Sequence, residues 1–280
     1  MLETKRKEDI TAPELICCGT ITNDTINANG KKITRLGGAP FFFSNVCTDL
    51  GVDHSIITTI GKKDIHLLPS RDLRGIKIIR KTVSLLITEN EQDTSCQLNS
   101  KVPSFQRITR VFQQPKVVFI SPLSDEFHPS QFKDAIIALD LQGFMRNKKK
   151  KFLLDNDKKK PKNLTDLLQA VSILKCNELE SKIIWRDISL TARLGKFAKL
   201  GPKIVVITRG AKGVVCWNNG KIIRKKGARI FVNDTVGAGD IFFSSFVAFL
   251  HKKSLSNKKV VTSSLHKAIA YTSSVLGKRQ

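Results

Sequence analysis

Short apolar blocks recur along the chain, most of them closing on a polar residue or a glycine. ELICCGTI (14–21), HSIITTIG (54–61), KVVFISPL (116–123), VSILKCN (171–177) and KIVVITRG (203–210) are the clearest. Nearly continuous apolar blocks of this length suit strands buried on both faces, the habit of a parallel sheet whose sites lie beyond the strand C-termini. Between them, FFFSNVCTDLG (41–51), LTDLLQAV (164–171), SLTARLGKFAKL (189–200) and VTSSLHKAIAYTSSVLG (261–277) repeat with helical period, and Gly51 closes the first of these. AIIALDLQG (135–143) reads as a strand running into a helix. Two polar segments break the rhythm. TNDTINANGKKITRL (22–36) holds the hairpin turn NANGKK, and KTVSLLITE (81–89) with DTSCQLN (93–99) reads as two more strands. The pattern predicts an α/β fold with a central parallel sheet covered by helices and a small β flap from 22–36 and 81–99.

Length and composition change this picture little. At 280 residues and 41% hydrophobic content the chain suits one fair-sized soluble domain. The first residues lack the apolar block of a signal peptide, and no run reaches the length of a membrane span, so a cytoplasmic protein is expected. The six cysteines show neither CxxC nor metal spacing with histidine and read as buried free thiols. Charge is the loudest bulk signal: 48 Lys+Arg against 24 Asp+Glu leave a net +24. The lysines fall in scattered runs without interleaved aromatic residues, and the densest, MRNKKKKFLLDNDKKKPKN (145–163), reads as a surface excursion. Such runs are solvated faces, and no specific nucleic-acid partner is expected.

Candidate chemistry gathers in DTVGAGD (234–240), which runs directly into the apolar stretch IFFSSFVAFL. Glycines permit a tight bend, and the first turn of a following helix carries unpaired N–H donors and partial positive charge. The amides of Gly237, Ala238, Gly239 and Asp240 can thus form an anion hole for a transferring phosphoryl group. An aspartate in that place is odd, because it adds negative charge where an anion should sit. Two readings fit: Asp240 caps the helix, or it accepts the proton of an attacking hydroxyl.

DTVGAGD followed by an apolar helix resembles the signature of the ribokinase-like (PfkB) carbohydrate kinases. Four further stretches are similar to that family's motifs and fall in its order: CGTITND (18–24), GGAPFFFSNVCTDLG (37–51) with IGKKD (60–64), NELE (177–180) and TRGAKG (208–213). The resemblance implies a three-layer α/β/α fold with a β lid, and a kinase using ATP and Mg2+ on a small polyhydroxy substrate. By the family's pattern Asp24, Gly37, Gly38 and Asp234 would bind substrate. Thr208, Gly210, Gly213 and Asn177 would face the nucleotide, Glu180 would act on magnesium through water, and Asp240 would be the base. Read on its own, NELE is better taken as the turn from a strand into a helix.

Two departures bear on the substrate. Phe42 stands where ribose-type members carry an asparagine, which speaks against a ribokinase proper. LDLQGFMRN (139–147) gives a DxQGxxR pattern resembling the branch that includes inositol 3-kinases, and Arg146 reads either as an anion contact or as a surface arginine. The expectation is an ATP-dependent kinase of inositol or a related polyol or sugar, with a nucleoside next, as a monomer or a lid-mediated homodimer. The rival is a non-catalytic binding protein on the same scaffold.

Overall fold

All five residues of the first strand, β1 (Leu15–Gly19), are buried, and their side chains leave on alternate sides. Leu15 and Cys17 join one apolar cluster, Ile16 and Cys18 another, so the sheet is covered on both faces. The computed structural model describes residues 13–28, 31–69, 73–89, 94–98, 100–102, 115–124, 126–132, 134–146, 159–228, 230, 232 and 234–279.

Nine strands form the main sheet. Their order is β13 (Lys221–Lys225), β12 (Val214–Asn218), β11 (Ile204–Thr208), β10 (Ile173–Asn177), β9 (Ile136–Asp140), β8 (Val117–Ser121), β1, β4 (Ser55–Gly61) and β5 (Ile76–Ile79). Every pair from β5 to β11 is parallel, whereas β11–β12 and β12–β13 are antiparallel. The β12–β13 hairpin and β5 were not anticipated from the apolar pattern. The hairpin turns on Asn219 and Gly220, both at positive φ (45° and 84°), a two-residue loop that matches the twist of its strands.

Helices α1 (Ala39–Asp49), α6 (Ala238–Leu250) and α7 (Lys258–Gly277) pack on one face. Helices α2 (Gln142–Met145), α3 (Leu164–Gln169), α4 (Glu178–Ile184) and α5 (Leu190–Ala198) pack on the other, giving the three-layer ribokinase-like arrangement. Gly51 ends α1 as expected, at φ 64°: its N–H donates to Thr48 O (3.1 Å) and that of Val52 to Cys47 O (2.8 Å), the paired bonds of a left-handed helix stop. Nine residues of α6 are buried, and Phe243 meets Phe119 of β8 edge-to-face at 5.0 Å. That contact pins the helix beneath the sheet and fixes where its first turn emerges.

A second, four-stranded sheet runs β3 (Lys31–Gly37), β2 (Thr22–Ala28), β6 (Val83–Glu89), β7 (Thr94–Leu98). Ile26, Val83, Leu85 and Ile87 on its inner face pack with Leu123 and Val236 from the main body. Asp24 lies on β2 of this small sheet, because the chain leaves β1 at Gly19 and re-enters extended structure at Thr22. Residues 147–158 of the lysine-rich excursion and the tip of the NANGKK turn (29–30) lie outside the described residues. No described helix is long and apolar enough to cross a membrane.

Candidate active site

The strands that end at Gly19, Ser121, Asn177 and Thr208 bring their C-terminal ends to one edge of the sheet, opposite the first turn of α6. Between this edge and the lid lies a cleft of about 350 Å3. Thr20, Thr22, Asp24, Ser121, Gln142, Arg146, Lys175 and Asn177 supply its polar wall; Leu85, Ile87 and Cys96 of the lid supply an apolar roof. The loop after β8 is braced from within. Glu126 accepts from Thr20 Oγ1 (2.7 Å) and from the N–H groups of Leu123 and Ser124 (both 2.7 Å), while Arg146 Nη1 donates to Leu123 O (2.8 Å). Arg146 is thus a wall of the cleft, not a surface residue.

At the head of α6 the N-cap is Gly237, at φ 83°, and Asp240 sits in the first turn without capping it. The Asp240 carboxylate lines the cleft and accepts no hydrogen bond among the described residues. Burial, helped by the charges of Asp140 and Asp24 and opposed by Lys175 and Arg146, pushes its pKa up to about 7. Of the four amides expected to face an anion, Ala238 is already committed: its N–H closes a turn on Thr235 O at 2.9 Å. Those of Gly237, Gly239 and Asp240 have no backbone partner among the described residues. Three of the four amides are therefore open.

Asp24 is 3% exposed, lines the cleft, and its Oδ1 has no hydrogen-bond partner among the described residues. Desolvation raises its pKa to about 6 against the pull of Thr22, Arg35 and Arg146. A buried, unpaired acceptor in the wall of a cavity is costly unless a ligand donates to it. The glycine pair serves this carboxylate differently from expectation. A methyl on Gly37 would stand 1.9 Å from Asp24 Oδ2, so Gly37 makes room for the aspartate and does not itself line the cleft. Gly38 lines it, at φ 82°, with its own Cβ space filled by Thr20 O at 2.2 Å.

Lys175, missed by sequence reading, is 5% exposed, and its Nζ lies 2.6 Å from Asp140 Oδ2. A methyl on Gly239 would stand 3.2 Å from that Nζ, so the ammonium sits beside the first turn of α6. Burial works against its charge, but Asp140, Glu180 and Asp240 together hold its pKa well above that of a free lysine. The signal was present as a lone charged residue inside VSILKCN, an otherwise apolar strand. Asp140, first of the DxQGxxR pattern, is its counter-ion, and Gln142 of the same pattern reaches the cleft.

Other expected residues are placed differently. Asn177 lines the cleft, but it and Glu180 form a reciprocal helix cap: Asn177 N–H donates to Glu180 Oε2 (2.8 Å) and Glu180 N–H to Asn177 Oδ1 (2.7 Å). Glu180 is 0% exposed and lines neither cavity. Asp234 does not line the cleft; it is ion-paired with Arg35 at 2.5 Å and accepts the Val236 N–H at 3.0 Å. Among the described residues there is no cluster of three or more metal-ligating side chains. The described residues thus offer no protein-built magnesium cage, and Glu180 is buried within its helix cap.

A second cavity of about 450 Å3 adjoins the first, sharing Thr208, Thr235, Ala238 and Gly239 with it. Val214, Ile230, Val232, Phe242, Ile269 and Leu276 make it mostly apolar, with Thr272 and Ser273 at one side. Gly210 (φ 55°) and Gly213 (φ 86°) line it, and Gly213 is obliged to be glycine because Lys225 O would lie 2.1 Å from a Cβ. The first turn of α6 thus separates a polar cleft from an apolar one.

The sequence and the fold both have counterparts among known proteins. Over 256 residues the chain is 26% identical to the cytidine kinase of Thermococcus kodakarensis, covering 84% of this chain and 87% of that enzyme. It is 35% identical over 89 residues to the ATP-dependent 6-phosphofructokinase of Thermoanaerobacterium thermosaccharolyticum, where the match spans 32% of this chain and only 28% of the enzyme. In fold it superposes on a pyrophosphate-dependent kinase in the ribokinase family, solved with a pyrophosphate analogue and myo-inositol, with TM-score 0.73 and 19% identity over 95% of this chain and 94% of that one. The model of the pfkB family carbohydrate kinases matches residues 34–278. The chain belongs to the pfkB family of carbohydrate kinases.

Proposed function

We propose that this chain is an ATP-dependent kinase that phosphorylates a hydroxyl of a small polyol or sugar, with inositol the leading acceptor. The observation that carries the reading is the meeting of two cavities at the open amides of α6, with an unpaired carboxylate beside them. The acceptor lies in the polar cleft with hydroxyls donating to Asp24. Asp240 takes the proton of the attacking hydroxyl, its oxygen bonds to the γ-phosphorus in line, and the bond to the bridging oxygen breaks with its electron pair leaving on ADP. The amides of Gly237, Gly239 and Asp240, with the Lys175 ammonium, stabilise the charge on the moving group. The acceptor is tested by following ATP consumption with inositols, sugars, sugar phosphates and nucleosides. Turnover confined to nucleosides would favour the second reading, which the likeness to a cytidine kinase supports. No turnover at all, with tight nucleic-acid binding at physiological salt, would favour a non-catalytic protein.

Two further outcomes are expected. The apolar cavity offers a place for adenine and ribose that pyrophosphate would leave empty. ATP should therefore support turnover at least about tenfold better than pyrophosphate at equal concentration, a difference a single apolar contact surface of this kind can supply. A preference for pyrophosphate would remove ATP as the donor. Gly37→Ala, by displacing the Asp24 carboxylate, should raise the acceptor KM roughly tenfold to a hundredfold, the cost of losing one buried charged hydrogen bond. Steady-state kinetics should find the KM for ATP unchanged.

A further inference from the structure

The short segment ahead of the anion hole is gripped from two directions. The Val236 carbonyl accepts Nη1 of Arg279 at 2.7 Å and Nη2 of Arg35 at 3.2 Å. The second arm of Arg35 ion-pairs with Asp234, whose other oxygen accepts the Val236 N–H. The Arg279 guanidinium also lies 5.6 Å over the Phe42 ring, and that ring fills the space beside Gly237, where a Cβ would stand 2.4 Å from it. Two like charges converging on one carbonyl repel each other, and the proximity of Arg35 works with burial to disfavour the charge of Arg279. Arg35 has a second address. It sits on β3 of the lid directly across from Asp24, its register partner on β2. One side chain therefore spans the acceptor-binding strand and the loop that ends in the phosphoryl site.

This arrangement answers a need set by the sequence. Gly237 and Gly239 lend the bend its shape but no rigidity of their own, since glycine samples many backbone states. An anion hole works through donors fixed in place before the charge develops, and a displacement near 1 Å can cost about a hundredfold in rate. We propose that Arg35 and Arg279 are positioning residues that hold segment 234–237 so that the amides of α6 face the transferring group. Arg35 in addition ties the position of the lid over the acceptor to the shape of that segment. The proposal rests on the kinase reading of the same site.

The test uses Arg279→Ala, Arg35→Ala and Arg35→Lys in the full chain. Hydrogen exchange on the unliganded proteins comes first, because it needs no turnover. In Arg279→Ala the amides of 236–240 should exchange about tenfold faster or more, while those of β2 and β6 keep their wild-type rates, as expected of local opening. In kinetics, Arg279→Ala should lower kcat about a hundredfold with acceptor KM unchanged. Arg35→Ala should lower kcat and raise acceptor KM together, and Arg35→Lys should not restore them, because an ammonium cannot span Asp234 and Val236 in fork geometry. Unchanged exchange at 236–240 in Arg279→Ala, or faster exchange spread evenly over the chain, overturns the proposal, as does a kcat within about twofold of wild type. A wild-type protein that turns over no acceptor sinks the kinase reading alone, and the exchange result still decides the clamp.

Discussion

Asp240→Asn is expected to bind ATP and acceptor normally and to transfer the phosphoryl group about 10²–10⁴-fold more slowly, the usual worth of a positioned general base. The amide keeps the shape of the carboxylate and removes only its ability to take a proton. Single-turnover transfer and ATP titration separate the two quantities. The same variant answers the question the sequence raised about an aspartate at an anion site. Asp240 makes no capping bond, and its pKa of about 7 means that burial disfavours its charged form, so that only above about pH 7 does the folded protein carry the ionised carboxylate in full, at the cost of burying it. With its pKa raised from the ordinary 3.8 to about 7, this group costs the folded state stability progressively as pH rises from the first value to the second, and the cost is complete above 7. At pH 8 the asparagine variant should therefore melt no lower than wild type. A large fall in Tm would return Asp240 to the role of a structural cap.

The pH profile follows from the same group. Below about pH 7 Asp240 is protonated and the base is lost, so kcat/KM should fall about tenfold per unit on the acid side. Asp24 gains its proton lower, near 6, and should deepen the fall there by exchanging an acceptor for a donor toward the substrate. Asp240→Asn should lack the limb near 7. A wild-type limb centred near pH 4 would place both carboxylates in ordinary solvent and remove the proposed base.

Glycine and aspartate punctuation made the head of α6 readable from the amino-acid sequence alone, because a bend of this kind needs those residue types wherever it occurs. The parallel strands were readable for a similar local reason: five or more apolar residues in a row have few other uses. What depended on distant partners was hidden. Lys175 looked like a blemish in an apolar strand until Asp140, 35 positions earlier, came to lie 2.6 Å from it. Gly37 suggested close approach of a ligand, and its neighbour proved to be Asp24 from the adjoining strand. NELE allowed both a metal contact and a helix start, and the side-chain bonds belong to the helix start. The Ala238 amide looked free because the turn onto Thr235 is a matter of backbone angles.

Lys175 carries the second large expectation, and its two jobs can be pulled apart. Lys175→Met removes the partner of Asp140, which is 0% exposed, and leaves that carboxylate buried without its counter-charge. Breaking a buried pair in this way costs about 3–5 kcal/mol, or roughly 10 °C of Tm in a chain of this size. The double variant Lys175→Met with Asp140→Asn removes both charges and should recover most of that loss, since an uncharged pair no longer demands a buried ion. Activity should not return with it. On the proposed mechanism the ammonium beside Gly239 is fixed where negative charge develops, and losing one such contact costs about 10²–10³ in kcat. Thermal melts and kcat on the single and double variants therefore move together in one step and separate in the next. If the double variant regains wild-type kcat along with its Tm, Lys175 only shores up the fold. The charge on the transferring group would then rest on the three open amides alone.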